Sequence, residues 1–167
     1  QEADIDGDGE TEPATFRVTS DNLANWRSDT NTGADTHLGW KLDMLVDGQA
    51  DNNGERILGD PRLRNGQIAF ASVVPGESLC QFEGKSWFYR LDAGTGGRTL
   101  IAPYSNYVDD LPPSAVQNDS ISELPQVLLT PTGQEVNLAR DGEGQINSVL
   151  TEPGGFERQR ATWRELR

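Results

Sequence analysis

Wherever this chain shows a hydrophobic period, the period is two. That alternation marks half-buried β-strands, whose successive side chains point to opposite faces. Trp40, Leu42, Met44 and Val46 share one face and Lys41, Asp43 and Leu45 the other, so 40–46 is predicted as a strand. Gln67 to Val74 is the strongest strand signal, and Ser86 to Leu91 is another. Thr15 to Thr19 alternates over a shorter run. Arg56 to Leu58 starts a strand that Asp60-Pro61 bends. Asn65-Gly66 is a hairpin signal, because both residues tolerate positive φ. Arg98 to Ala102 is placed to pair back onto the strand before it. Gln126 to Thr130, Gln134 to Leu138 and Ile146 to Leu150 are separated by Gly-bearing turns and predict a three-strand meander, and 161–166 predicts a short final strand. The total is about nine or ten strands.

Between these runs the chain is polar. Residues 20–37 are rich in Asn, Asp, Ser and Thr, which favour turns by bonding their own backbone. Asp47 to Gly54 reads as a turn and 152–160 as a linker. The stretch 103–125 has no clear period and holds Pro112-Pro113, which predicts a long surface loop with one short helical turn. A loop of that length in a compact domain is usually functional or disordered. With 167 residues, 34% hydrophobic content, 18 Gly and 9 Pro, the expectation is one loop-rich domain. The predicted organisation is an acidic N-terminal arm at 1–13 followed by a single all-β domain at 14–167, built of antiparallel sheets.

The formal net charge is −13, from 27 acidic and 14 basic residues. Such a chain repels nucleic acid and anionic membrane, since phosphate binding needs a basic face. No run approaches the roughly 18 apolar residues of a membrane span, so no membrane insertion is expected. Gln1 opens the chain without Met, which reads as a processed or trimmed product. Cys80, the single cysteine, has no internal disulfide partner. With Lys only at 41 and 85, the composition suits a surface or secreted protein. The charge is also uneven. Six acids and no base lie in 1–12, while Arg158, Arg160, Arg164 and Arg167 lie in the last ten residues. The two ends are either separately solvated or attract each other or a partner.

The acidic arm carries the best candidate chemistry. Asp4, Asp6, Asp8 and Glu12 offer hard oxygens at alternating spacing, Gly9 supplies a sharp turn, and Glu10 is placed to donate a carbonyl. That donor set suits calcium, although an EF-hand would need an acid where Thr15 stands, and a solvated acidic arm is the alternative. A looser cluster at Asp47, Asp51, Asn52, Asn53 and Glu55 reads more simply as a turn. His37 has no nucleophile pattern beside it, one His and one Cys do not close a zinc site, and nothing singles out a catalytic pair among 27 acids. Trp40, Trp87 and Trp163 lie in strand patterns and are expected in the core. Trp26, in a polar loop, and Tyr104 and Tyr107, in the long loop before Asp109-Asp110, are the candidate partner-binding residues.

Four phrases occur in a telling order: Gly39-Trp40-Lys41-Leu42-Asp43, then Gly54-Glu55-Arg56-Ile57-Leu58-Gly59-Asp60-Pro61-Arg62-Leu63-Arg64, then Trp87-Phe88-Tyr89-Arg90-Leu91-Asp92 running into Thr95-Gly96-Gly97, and Thr162-Trp163-Arg164-Glu165-Leu166-Arg167. In this order they resemble the C-terminal part of the PilY1/PilC family, the propeller-bearing proteins of type IV pili. The resemblance runs from about Trp26 to Arg167 and is dense at 39–97 and 158–167. It implies a partial or reduced β-propeller-like fold, with Gly54 to Val74 supplying inner strands; the residues themselves agree, since Arg56 is placed to pair with Asp60 or Asp43. It also implies a non-enzymatic, extracellular role at the cell surface or pilus tip, in adhesion or pilus assembly and tuned by calcium. The implied partners are minor pilins, the rest of a larger propeller chain, or a host or abiotic surface. The sequence departs from the family in two places. Pro13-Ala14-Thr15-Phe16 does not match the strand that follows the family's calcium loop, and Cys80 is followed by Glu83-Gly84-Lys85 instead of a Gly pair. Two other readings stay open. Leu91-Asp92-Ala93-Gly94-Thr95-Gly96-Gly97 resembles quinoprotein blades, and the oppositely charged ends would suit a subunit that polymerises by strand exchange.

Overall fold

A computed structural model describes residues 2–3, 12–19, 24, 26, 37–44, 54–76, 84–99, 112–123, 126–129, 131, 135–140, 144 and 146–151. These residues form eleven strands and no helix. The strands are β1 (Glu2–Ala3), β2 (Glu12–Pro13), β3 (Phe16–Arg17), β4 (Arg56–Ile57), β5 (Arg62–Arg64), β6 (Gln67–Pro75), β7 (Gly84–Asp92), β8 (Ala115–Asn118), β9 (Gln126–Leu129), β10 (Glu135–Arg140) and β11 (Ile146–Thr151). All pairings are antiparallel.

The main sheet runs β3-β8-β7-β6-β4, and β5 also pairs with β6. Its spine is the nine-residue β6–β7 ladder, from Gln67 opposite Asp92 to Pro75 opposite Gly84. The β4 and β5 strands lie on the same edge of β6. Arg56 and Ile57 face Val73 and Ser72, while Arg62 to Arg64 face Ala69 to Gln67. Gly59-Asp60-Pro61 divides what would otherwise be one edge strand, because Pro61 lacks an N–H for the ladder. Asn65 and Gly66 have φ of 49° and 74°, the left-handed pair that a two-residue hairpin turn demands. A second sheet runs β11-β10-β9, which is the expected meander.

Alternation along β6 and β7 gives the main sheet two apolar faces. One buries Phe70, Trp87, Tyr89, Leu91 and Ala115, with Trp40, Leu42, Met44, Ile68 and Val74 packed against them. Phe70 and Tyr89 are cross-strand partners whose rings stack at 4.8 Å. The other face buries Ala71, Phe88 and Val116 together with Ala139 of β10, so the meander packs there. Burying each large side chain in these clusters contributes about 1.5–3 kcal/mol, so this spine dominates the stability of the described residues.

The structure revises four expectations. Residues 40–44 keep the predicted period, with Trp40, Leu42 and Met44 half-buried and Lys41 and Asp43 exposed, but they form no ladder. Packing on the core fixes this extended segment without strand pairing. The 103–125 stretch, expected as a loop, contains β8 in the middle of the main sheet, with Pro113, Ser114, Ala115 and Val116 buried. Ala, Gln and Asn are poor strand formers, and here β3 and β7 override that preference from both sides. Arg56 pairs with neither Asp60 nor Asp43 among the described residues; its Nε donates to the Gly54 carbonyl at 3.1 Å. At the N-terminus, Glu2 and Ala3 pair with Pro13 and Glu12, which ties together the two ends of the acidic arm. The Arg98–Ala102 expectation fails at its described end, since Arg98 and Thr99 lie outside any strand. The final strand at 161–166 lies outside the described residues.

Candidate functional site

Two buried carboxylates organise the two faces of the main sheet. On the first face, Glu55 immediately precedes β4, and its side chain is only 2% exposed. Arg17, at the end of β3, donates from Nη1 to both Glu55 oxygens at 2.8 and 2.7 Å. Ser72 Oγ also donates to Glu55, Tyr89 Oη lies 3.2 Å from the same carboxylate, and Arg17 reaches Tyr89 as well. The Arg17 guanidinium lies 3.9 Å above the Trp87 ring, a cation–π contact. Strands β3, β6 and β7 and the residue leading into β4 therefore meet at one ion pair.

Burial alone would lower the Arg17 pKa, but the Glu55 hydrogen bond and Tyr89 together carry it above its ordinary value. The Tyr89 phenol is pushed up to about 12, first by burial and then by the Glu55 carboxylate, with Arg17 opposing. The sign of the consequence is fixed. A phenol whose folded pKa exceeds its unfolded value of about 10 contributes full stability below that value and loses it as pH rises toward the folded pKa. The two-unit difference corresponds to roughly 2–3 kcal/mol. We expect stability to fall between about pH 10 and 12, and a late tyrosinate absorbance step that vanishes in Tyr89→Phe. A titration without that late step would refute the assignment.

On the opposite face, Glu135 opens β10 with no exposed surface. It accepts from Arg90 Nη2 at 2.7 Å and from Arg64 Nε at 2.9 Å, with Asn65 Nδ2 at 3.4 Å. Arg90 is itself buried on β7, and its partner across the ladder is Ala69. Beside this cluster a cleft of about 450 Å³ opens between β5–β7 and the meander. Arg62, Leu63, Arg64, Gln67, Ala69, Arg90, Val127 and Asn137 line it. Gln67 is 7% exposed, and its Oε1 is buried without a hydrogen-bond partner. A polar floor with arginine walls, in a chain of net charge −13, is the most distinctive surface among the described residues.

The residues singled out from sequence fall elsewhere. Trp26 is 49% exposed, and its Nε1 donates to the Gly94 carbonyl at 2.9 Å. Trp40 Nε1 donates to the neighbouring Ala93 carbonyl at 3.0 Å, so two indoles clasp one turn. Asp92 Oδ1 holds that turn from within by accepting from the backbone of Gly94 and Thr95. Gly96 sits against the Trp40 ring at φ +70°, and an added Cβ would lie 2.3 Å from it. The phrase that resembled a quinoprotein blade is therefore a packed turn, and its Asp is a turn-former. Trp87 is buried as expected, and His37 is exposed. Asp4, Asp6, Asp8, Glu10, Tyr104, Tyr107, Cys80 and Trp163 lie outside the described residues, and Glu12 is described only as backbone in β2. Among the described residues no group of three or more His, Cys, Asp or Glu side chains could hold a metal. The sequence reading did not select Glu55 or Glu135 for these roles. The one available signal for Glu135 was its position in a strand pattern, two and four residues before Asn137 and Ala139.

The type IV pilus biogenesis factor PilY1 of Pseudomonas aeruginosa strain PAO1 is 28% identical over 162 residues, covering 91% of this chain. A PilY1 homolog of Xylella fastidiosa strain Temecula1 reaches 44% identity over 63 residues, or 37% of the chain. The chain is similar to PilY1 proteins over most of its length. PilY1 of P. aeruginosa strain UCBPP-PA14 is 25% identical over 164 residues. The chain spans 13% of the length of the P. aeruginosa PilY1 proteins and 4% of the X. fastidiosa one. No family model and no solved structure matches it.

Proposed function

We propose that this chain is a β-sheet module of a type IV pilus-associated protein, acting by contact at the cell surface or pilus tip rather than by catalysis. The observation that carries the reading is the alignment with PilY1, a named pilus biogenesis factor, over 91% of the chain. The buried acids support a non-catalytic role, since Glu55 and Glu135 are each held by arginine in an ion pair that joins strands. In this reading the β4–β5–β6 unit is part of a propeller-like blade, and its partners are the rest of a longer propeller chain, minor pilins, or a host or abiotic surface. The role is pilus assembly, adhesion or both. Calcium modulates it through Asp4, Asp6, Asp8, Glu10 and Glu12. Carboxylates at alternating positions fit a hard cation, and the pairing of Ala3 with Glu12 joins the flanks of that donor set. Calcium there would cancel the mutual repulsion of the acids.

The test uses the full-length protein in the organism that encodes it, with protein level followed by immunoblot. Glu135→Ala, which unseats the meander, should reduce surface pili and attachment. Asp4→Ala/Asp6→Ala should remove the response of attachment to calcium chelation. Normal piliation and attachment in the first variant would overturn the pilus reading. An unchanged chelation response in the second would remove calcium from it.

A further inference from the structure

We propose that the cleft between β5–β7 and the meander binds the side-chain carboxamide of a Gln or Asn on a partner polypeptide. The inference concerns the chemistry of this surface and does not depend on the pilus reading. The three arginines that wall the cleft already have partners, Arg64 and Arg90 on Glu135 and Arg62 elsewhere. They shape the cleft and leave the choice of ligand to the group that still lacks a partner. That group is Gln67. It lines the cleft, it is 7% exposed, and its Oε1 is buried without a hydrogen-bond partner. A buried acceptor selects a ligand that brings a donor, which excludes a carboxylate. The ligand is also neutral, because an ammonium or guanidinium entering here would meet three arginines around a single acid.

A carboxamide answers Gln67 reciprocally. Its N–H donates to Oε1 while its own carbonyl accepts from Nε2 of the same side chain, so one ligand group pairs with both ends of the amide. A hydroxyl offers one atom in place of two. The terminal torsion of Gln is broad, so the amide turns its edge to the ligand without moving β6. Leu63, Ala69 and Val127 give the cleft an apolar wall for the methylenes of a Gln stem. The volume of about 450 Å³ lies within the range of about 300–1,000 Å³ usual for small-ligand pockets. No aromatic side chain stands among the described lining residues, so a sugar ring finds no stacking face there. An acceptor buried without a donor lowers the stability of the fold, and an apolar side chain of the same length at 67 would not. A polar group that destabilises where an apolar one would pack marks a position held for a partner.

The experiment is fluorescence anisotropy with the full chain and rhodamine-labelled Ala-Val-Gln-Val-Ala, against the same peptide with Glu or Met at its centre. Saturable binding of the Gln peptide alone is expected, and it should persist in high salt, since no charge is paired. Gln67→Met should weaken it about tenfold, the scale of one hydrogen bond, and should keep or raise the urea midpoint. A role confined to the fold would lower that midpoint instead. Leu63 is 72% exposed, so Leu63→Ser should weaken binding without changing the midpoint. Equal or tighter binding of the Glu or Met peptide, no saturable binding, loss of binding in high salt, insensitivity to either variant, or a lower midpoint in Gln67→Met would each overturn the proposal. Displacement of the Gln peptide by N-acetylglucosamine would also overturn it, since the site would then hold acetamido sugars.

Discussion

Glu135→Ala is expected to lower the stability of the chain by about 3–5 kcal/mol, the range for breaking a buried ion pair from one side. The size follows from what remains. Arg90, with a side chain 7% exposed, would keep its charge inside the sheet packing after losing the carboxylate 2.7 Å away. Arg64 is 38% exposed and can turn its guanidinium to water, so it adds little to the loss. With a urea dependence of about 2 kcal/mol per molar, the midpoint should fall by roughly 2 M. Marginal stability of about 5–15 kcal/mol leaves little margin after such a loss. The companion variant decides the interpretation. Glu135→Met/Arg90→Met replaces both charges with apolar volume and should recover most of the stability, because a buried pair costs about as much to desolvate as it returns. A single-variant loss under about 1 kcal/mol would mean that Glu135 does not hold Arg90 in the folded chain.

The same residue shows where sequence reasoning stops. The β6–β7 ladder is legible because local and long-range signals agree: Asn65-Gly66 supplies the turn, and the strands alternate around it. The meander is legible for the same reason, but its buried face is not. The β10 strand reads as Glu135-Val136-Asn137-Leu138-Ala139, so hydrophobicity alone turns Val136 and Leu138 inward. The fold instead buries Glu135, Asn137 and Ala139 and leaves Val136 and Leu138 half-buried. That choice depends on Arg90 and Arg64 waiting on the facing sheet, a fact about residues 45 and 71 positions away in sequence. The β8 strand is hidden for a related reason. Ala115-Val116-Gln117-Asn118 carries one strong strand former and takes its conformation from β3 and β7. The candidate cleft was half legible. Arg62-Leu63-Arg64 stood within a quoted motif, but only the hairpin register brings Arg62, Ala69 and Arg90 into one row.

Trp87→Ala should cost about 3–5 kcal/mol, the usual range for emptying a buried indole site. Trp87 is 6% exposed and packs with Phe70, Tyr89, Leu91 and Ala115, so the surrounding strands have little freedom to close the cavity. A second consequence separates its two roles. The indole also roofs the Arg17–Glu55 pair, with the guanidinium 3.9 Å from the ring. Without that roof, water reaches the pair and weakens the burial that chiefly holds Tyr89 near 12. The late phenol step should therefore move down toward its ordinary value in Trp87→Ala. Trp87→Phe keeps an aromatic face over Arg17 and fills most of the volume, so it should lose less stability and retain the late step. Urea midpoints and absorbance titrations on the two variants check both effects. A Tyr89 step that stays near 12 in a folded Trp87→Ala chain would show that the indole packs the core without shielding the ion pair. If the step instead falls with the cavity, packing and electrostatics on this face are one structural unit: the ring that fills the core also sets the dielectric in which Arg17 and Glu55 join β3 to the opposite edge of the sheet.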